Sequence, residues 1–373
     1  MKTYTQRTAQ WLLLILTGII SLFGASIIYV QSFAVFSRYL IYISLGIVVM
    51  LGVMTRDCRK ISRYYAVMLV GMLLLLLLCV YKGESMNGAR RWLNVFGFAL
   101  DVSDLSMLNI LPISCLLYHC KNGGWKAIHE LFWVCFIFFI LLLQLPSLSN
   151  AFILASCTVG ILLMAILRKH LNEDKPSGEF LIPLAAGSIA FAGMLTYFIK
   201  ASPYLSQRIE VFFSRGTLDP YGHGYQLMTA AKWLSLAHFL GPAQNTSMPI
   251  NLSLPHSEDG FILVNLIAHF GWLAGIVLLL LIIGFITQLF RMTYKLQDPC
   301  GYFVAFSASL MLSLRFLFGV LMNFNLWPVA GWSIPLLSYA PTAMITNMAL
   351  IGVVLSVSRS DSFQTKEQAH DQE

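Results

Sequence analysis

WLLLILTGIISLFGASIIYV, from Trp11 to Val30, carries no charge and has the length of a bilayer-crossing helix, about 20 apolar residues. It is too long for the core of a signal peptide, and no small-residue cleavage site follows it, so it reads as a retained span. Comparable apolar runs recur at Tyr39–Met54, Tyr65–Tyr81, Leu105–Leu117, Leu131–Leu145, Ala151–Leu167, Phe180–Ile199, Phe261–Phe290, Tyr302–Met322 and Thr342–Val357. The fourth run is short and contains Pro112. Together the runs predict an all-α, polytopic membrane protein with about ten transmembrane helices. Composition points the same way: 58% of residues are hydrophobic and 11% charged, against about 25% charged in soluble domains.

The net charge of +7 is spread over short loops. It therefore reads as a topology signal and not as a nucleic-acid surface. Lys and Arg concentrate on the side of the N-terminus, for example Lys2, Arg7, Arg56, Arg59, Lys60, Arg63, Lys121, Lys126, Arg168 and Lys169. Both termini are thus expected in the cytoplasm. Residues 200–259 then form one large extracytoplasmic loop between helices 7 and 8, and residues 82–103 form a second outer segment. Residues 1–358 read as a single transmembrane domain. Residues 359–373, polar throughout, read as a disordered cytoplasmic tail. The seven cysteines form no CxxC pair and lie in or beside apolar runs, so neither a disulfide nor structural zinc is expected.

Several stretches offer chemistry, each beside a plainer explanation. Arg90 and Arg91 in GARRWLN flank Trp92; they suit a phosphate or anchor the chain at the headgroups. Asp101 and Asp104 in DVSDLSML suit acid–base work or cap a helix. DPYGHGYQ, Asp219 to Gln226, predicts a turn. The following YQLMTAAKWLSLAHFL has a rough helical stripe suited to lying on a membrane. His223 and His238 within this region are acid–base candidates or structural histidines. Glu258 and Asp259 in LPHSEDGF either cap a long apolar helix or supply a general base. Arg315 lies inside an apolar run and needs a partner there, with Asp104 and Asp259 as candidates. Pro328 and Pro335 interrupt WPVAGWSIPLLSY, whose irregular backbone must be buried in protein or line a cavity.

In this order, GARRWLN, DVSDLSML, DPYGHGYQL, LPHSEDGFILVNLIAHFGWLAG and NLWPVAGWSIPLLSY resemble the motifs of the SEDS family (shape, elongation, division and sporulation). The resemblance covers nearly the whole chain. It implies glycosyl transfer at the bacterial cytoplasmic membrane: lipid II is polymerised into peptidoglycan strands, undecaprenyl diphosphate leaves, and a class B penicillin-binding transpeptidase is the protein partner. By resemblance, Asp259 is the base that deprotonates a sugar hydroxyl. Asp104 is a supporting acid, and Arg90, Arg91, Ser338 and Tyr339 contact substrate. No cofactor is implied with certainty, and a divalent metal is left open.

The chain also departs from the family. The family's catalytic aspartate aligns without gaps on Gly260, one place after Asp259. Asp104 stands for a glutamate, Met107 for a frequent lysine, and Ala340-Pro341 for a glycine pair. These departures motivate a second reading, a SEDS-like scaffold that binds a transpeptidase or a lipid precursor. A polyprenyl-linked sugar transporter or polysaccharide ligase is the third.

Overall fold

A computed structural model describes residues 2–57, 61–86, 89–95, 97–171, scattered positions between 182 and 200, then 203–219, 221–222, 224–243 and 250–370. Among the described residues, eight helices are long and apolar enough to cross a membrane: Arg7–Gln31, Phe33–Thr55, Ser62–Lys82, Gly124–Gln144, Leu148–Leu167, Trp272–Tyr294, Pro299–Asn323 and Pro341–Asp361. Of the predicted span Phe180–Ile199, only scattered helical positions fall among the described residues. The most enclosed spans are Leu148–Leu167, Pro299–Asn323 and Pro341–Asp361, whereas Phe33–Thr55 and Ser62–Lys82 leave most of their apolar surface outward. The outward residues suit lipid, which is as apolar as they are.

Two apolar runs are not single helices. The predicted Leu105–Leu117 span is a short helix Val102–Leu105, a 3-10 turn Ser106–Asn109 and a helix Ile110–His119. Pro112 sits in the first turn of that last helix, where its missing N–H breaks no helical bond. Ile110, Ile113, Cys115 and Leu117 are all buried, so the segment belongs to the interior. The predicted Phe261–Phe290 helix also divides, into Ile262–Phe270 and Trp272–Tyr294. Gly271 separates them at φ +88°, and a Cβ there would lie 2.7 Å from the Phe239 carbonyl oxygen. Backbone from the large loop fills the break: the N–H groups of Trp272 and Leu273 donate to the carbonyls of His238 and Phe239, each at 3.0 Å. His238 itself has an exposed side chain.

The described part of the large loop is folded. It contains helices Pro203–Phe213, Tyr225–Leu236 and Ile250–Ser253. The helix expected to lie on a membrane packs one face against protein, and that face is not the whole predicted stripe: Leu227 is buried and Leu234 partly so, but Ala231, His238 and Phe239 are exposed. Ala230 and Trp233 join Ile250, Leu254, Phe261, Val264 and Ala268 in a small separate core. Trp233 Nε1–H reaches Ser253 Oγ at 2.9 Å, so the indole buries its ring without stranding its donor.

A three-stranded antiparallel sheet adds strand structure to the helical frame: β1 (Glu84–Met86), β2 (Ala89–Val95) and β3 (Phe98–Asp101). Trp92 pairs with Asp101 across β2 and β3. At the other end of the chain, the last helix runs Pro341–His370, beyond Arg359, where a disordered tail was expected. This stretch contains no Gly or Pro, and its Gln, Lys, Glu and Ala are good helix formers. Buried Asp361 also ties it down by accepting the N–H groups of Gln297 and Asp298 at 3.1 and 3.0 Å.

Candidate active site

The residues of the site come from four places brought together by the fold. Strand β2 contributes Arg91 and Trp92, the hinge into the interior helices contributes Asp101 and Asp104, and the turn before Ile262 contributes Asp259. The irregular segment around Trp327 to Trp332 closes the far wall.

Alternation along β2 separates the two arginines, since successive side chains point to opposite faces. Arg91 turns inward, with Nε 3.1 Å from Asp101 Oδ2 and its guanidinium 4.5 Å from the centre of the Trp92 ring. Arg90 is exposed and does not line the cavity. The pair proposed for one phosphate is therefore split.

Asp101 has the capping role that sequence allowed. Its Oδ1 accepts the N–H of Ser103 at 2.9 Å and that of Asp104 at 3.4 Å, and the Ser103 hydroxyl at 2.6 Å. Burial and the nearby Asp104 raise its carboxyl to about 6, opposed by Arg91. Asp104 pairs with Arg315 and accepts Asn150 Nδ2 at 3.2 Å. Arg315 also donates to Asn347 Oδ1 at 2.9 Å. The intramembrane arginine thus has both an anion and an amide, as an ion at that depth requires. One chain of contacts runs Asn347–Arg315–Asp104–Asn150–Ser103–Asp101–Arg91.

Asp259 is different, because Oδ1 is buried and finds no hydrogen-bond partner. Burial first, and then Asp104, Asp101 and Glu258, raise its carboxyl to about 7, with Arg91 opposing. Of these acids, Asp259 lines the cavity, whereas Asp101 and Asp104 lie outside its lining and act on Asp259 through their charge. Residues 254–261 form turns, and the helix begins only at Ile262, so no helical rotation separates Asp259 from Gly260; both line the same wall. A Cβ on Gly260 would meet Met322 Cε at 3.2 Å and the Trp332 carbonyl oxygen at 3.7 Å. His256 holds the turn at φ +58°, and its carbonyl accepts the N–H groups of Asp259 and Phe261 at 3.2 and 3.0 Å. Positive φ on a residue with a Cβ is strained backbone of the kind that collects at functional sites.

Ser338 and Tyr339 lie behind this turn and outside the cavity lining. The Ser338 hydroxyl donates to the Asp259 carbonyl and accepts the Ile334 N–H, both at 2.8 Å. The Tyr339 N–H donates to the Glu258 carbonyl at 2.9 Å. They position Asp259 from the backbone side.

The cavity has a volume of about 580 Å³. Phe152, Phe212, Phe213, Trp327 and Trp332 supply apolar wall, and Arg91, Arg208, His256 and Asp259 supply polar points. Arg208 and His256 were not singled out as site residues in the sequence. Arg208, on the Pro203–Phe213 helix, donates to the Val329 carbonyl at 3.1 Å, and only its place in a large outer loop signalled it. His223 lies outside the described residues. Among the described residues, no group of three or more His, Cys, Asp or Glu is placed to hold a metal ion. The arrangement suits a base facing a hydroxyl, with cations for a phosphate and aromatic walls for an apolar chain.

Residues 5–363 match the FtsW/RodA/SpoVE family, described as cell cycle proteins. The chain is 28% identical over 335 residues to FtsW of Wigglesworthia glossinidia brevipalpis, described as a probable peptidoglycan glycosyltransferase; the match covers 87% of this chain and 83% of that one. It is 23% identical to stage V sporulation protein E of Bacillus subtilis (strain 168), over 93% and 94% of the two chains. A chain from a peptidoglycan synthase complex that coordinates polymerization and crosslinking shares the fold with a TM-score of 0.76 at 19% identity, over 94% of this chain and 98% of that one. The rod shape determining protein RodA of Thermus thermophilus superposes with a TM-score of 0.65 at 17% identity, over 94% and 97%.

Proposed function

The chain belongs to the FtsW/RodA/SpoVE family of cell cycle proteins, and from that membership we propose that it is a peptidoglycan glycosyltransferase that polymerises lipid II. The observation that carries the reading is the unpartnered, buried Oδ1 of Asp259, on a carboxyl raised to about 7 in the cavity that Arg91 and Arg208 also line. A base poised near neutral pH combines the right protonation state with enough basicity to take a proton from a hydroxyl.

In this mechanism Asp259 accepts the proton of the acceptor sugar's 4-hydroxyl. The freed oxygen bonds to the anomeric carbon of the growing chain. The bond from that carbon to diphosphate breaks, and undecaprenyl diphosphate leaves with the electron pair. Arg91, fixed by Asp101 and Trp92, and Arg208 offset the charge on the leaving diphosphate. Asp104 acts at one remove, by holding Arg315 and setting the field felt by Asp259. Phe and Trp walls exclude water, which would otherwise compete for the anomeric carbon.

This reading also places the protein in the bacterial cytoplasmic membrane, with both termini in the cytoplasm and the large loop on the outer face. A class B penicillin-binding transpeptidase is its partner. The test is polymerisation of purified lipid II by the full chain, alone and with that transpeptidase, read as glycan strands on a gel. Asp259→Asn is expected to lose about 10²–10⁴-fold in rate, the worth of a positioned general base. Strands made at the wild-type rate by Asp259→Asn would overturn the assignment and favour a scaffold.

A further inference from the structure

Beside the cavity that holds Asp259 lies a smaller one of about 320 Å³. This is at the low end of ligand pockets, about 300–1,000 Å³. The two cavities share Arg208, Gln226 and Val329, and their chemistry differs. The larger is walled mainly by Phe and Trp rings, whereas the smaller presents the phenols of Tyr221 and Tyr225, the Gln226 amide and the Arg208 guanidinium.

The turn that forms this second cavity is tightly built. The Gly222 N–H donates to Asp219 Oδ1 at 3.0 Å, and the Gly224 N–H donates to the Asp219 carbonyl at 2.9 Å. A Cβ on Gly222 would collide with the Asp219 carboxylate, and one on Gly224 with the Gly216 carbonyl oxygen. Backbone closes the space at Gly224, whereas at Gly222 the Asp219 side chain would have to swing away and give up its bond to the turn. The turn holds Tyr221 with 95% of its surface exposed. A large ring fixed in water by a tight turn, at the rim of a polar cavity, is a feature that a packed core does not explain. Such rings offer a flat apolar face to the C–H face of a pyranose. Phenol, amide and guanidinium groups supply hydrogen bonds for its hydroxyls and acetamido group.

We propose that the smaller cavity is a saccharide subsite, which holds a sugar ring of the glycan chain next to the one reacting at Asp259. The cavities adjoin at Arg208, Gln226 and Val329, so a chain that leaves the larger one over that rim meets the smaller. The inference deepens the glycosyl-transfer reading and rests on it for the identity of the sugar.

The experiment titrates the full chain in detergent with a lipid-free tetrasaccharide of alternating β-1,4-linked N-acetylglucosamine and N-acetylmuramic acid, and follows binding by saturation-transfer NMR. Tyr221→Ala should weaken binding about tenfold, equivalent to ~1.4 kcal/mol, while Tyr221→Phe keeps the ring and retains binding. Strands made by Tyr221→Ala should be shorter than wild type. Because Tyr221 is exposed, its variants should melt with the wild type. No tetrasaccharide binding by wild type, or equal binding by Tyr221→Ala, overturns the subsite. The two readings fail separately: a wild type that makes strands but ignores the tetrasaccharide loses only the subsite. A wild type that binds the tetrasaccharide through Tyr221 but makes no strands upholds the subsite and loses the transferase.

Discussion

Asp259 bears a buried oxygen that no donor satisfies, so its charge works against the fold that carries it. Its folded carboxyl titrates at about 7, against about 3.9 in an unfolded chain. Between those values the folded state holds more protons than the unfolded one, so stability falls as pH rises from about 4 to about 7 and stays reduced above. Asp259→Asn should therefore melt higher than wild type at pH 8 in detergent, with the gap closed at pH 4. The wild-type rate should run the opposite way, rising through about pH 7 as the base deprotonates; Asp259→Asn should lack that limb. Asp104 predicts a contrary sign, because its loss leaves the buried Arg315 with the Asn347 amide but without its anion. Asp104→Asn should cost about 3–5 kcal/mol of stability, and Asp104→Asn with Arg315→Met should recover part of it in chemical unfolding. The acids and arginines were legible as candidates: Asp101, Asp104 and Asp259 as charges beside apolar runs, Arg91 as one of a pair next to Trp92, and Arg315 as a charge inside an apolar run. The inward or outward sense of Arg90 and Arg91 was not, since strand alternation needs a register. Nor was the cavity role of Arg208 and His256, which depends on segments far apart in the chain.

Gly271 shows what a hydropathy profile averages away. The apolar run resumes beyond it at Trp272, and glycine is frequent in membrane helices, so the local stop signal, His269 in the last turn with Gly271 after it, was lost in the hydropathy. The positive φ and the loop carbonyls that dock there are tertiary facts. Gly271→Ala should destabilise the protein by about 1–3 kcal/mol through a forced positive φ and a Cβ 2.7 Å from the Phe239 oxygen. Gly284→Ala, in the same run but with nothing within 4 Å of its added Cβ, should melt like wild type. The stripe beginning at Tyr225 was read correctly as a helix, but its burial partner was not legible, because a lipid face and a protein face select the same residue types. The sheet at 84–101 was missed for a related reason: its strands are short, and β2 carries two arginines where a core strand would be apolar.

Across the whole molecule, composition and span lengths were enough for an integral membrane protein, and the order of five motifs was enough for its family. What motif order could not supply is how the last third of the chain reaches back to the site. Tyr39 hydrogen-bonds the carbonyls of Leu336 and Leu337, and Thr342 accepts the Asp101 N–H. Ser338 holds the Asp259 carbonyl. Ser338→Ala removes that clip without touching substrate and should lower kcat about tenfold with KM little changed, within the range for small misplacements of a reacting group. A tenfold rise in KM at unchanged kcat would instead put Ser338 in substrate contact. The same reach has a consequence for biogenesis. As the ribosome feeds the chain into the bilayer, residues 84 to 261 emerge well before Ser338 and Thr342. The base then sits on an unclipped turn, and the cap at Asp101 lacks its brace. A chain that ends before Ser338 and Thr342 holds the site's acids and arginines on a looser frame. Full rate is therefore expected only once the final span has been inserted, which ties the working of the site to completion of the chain.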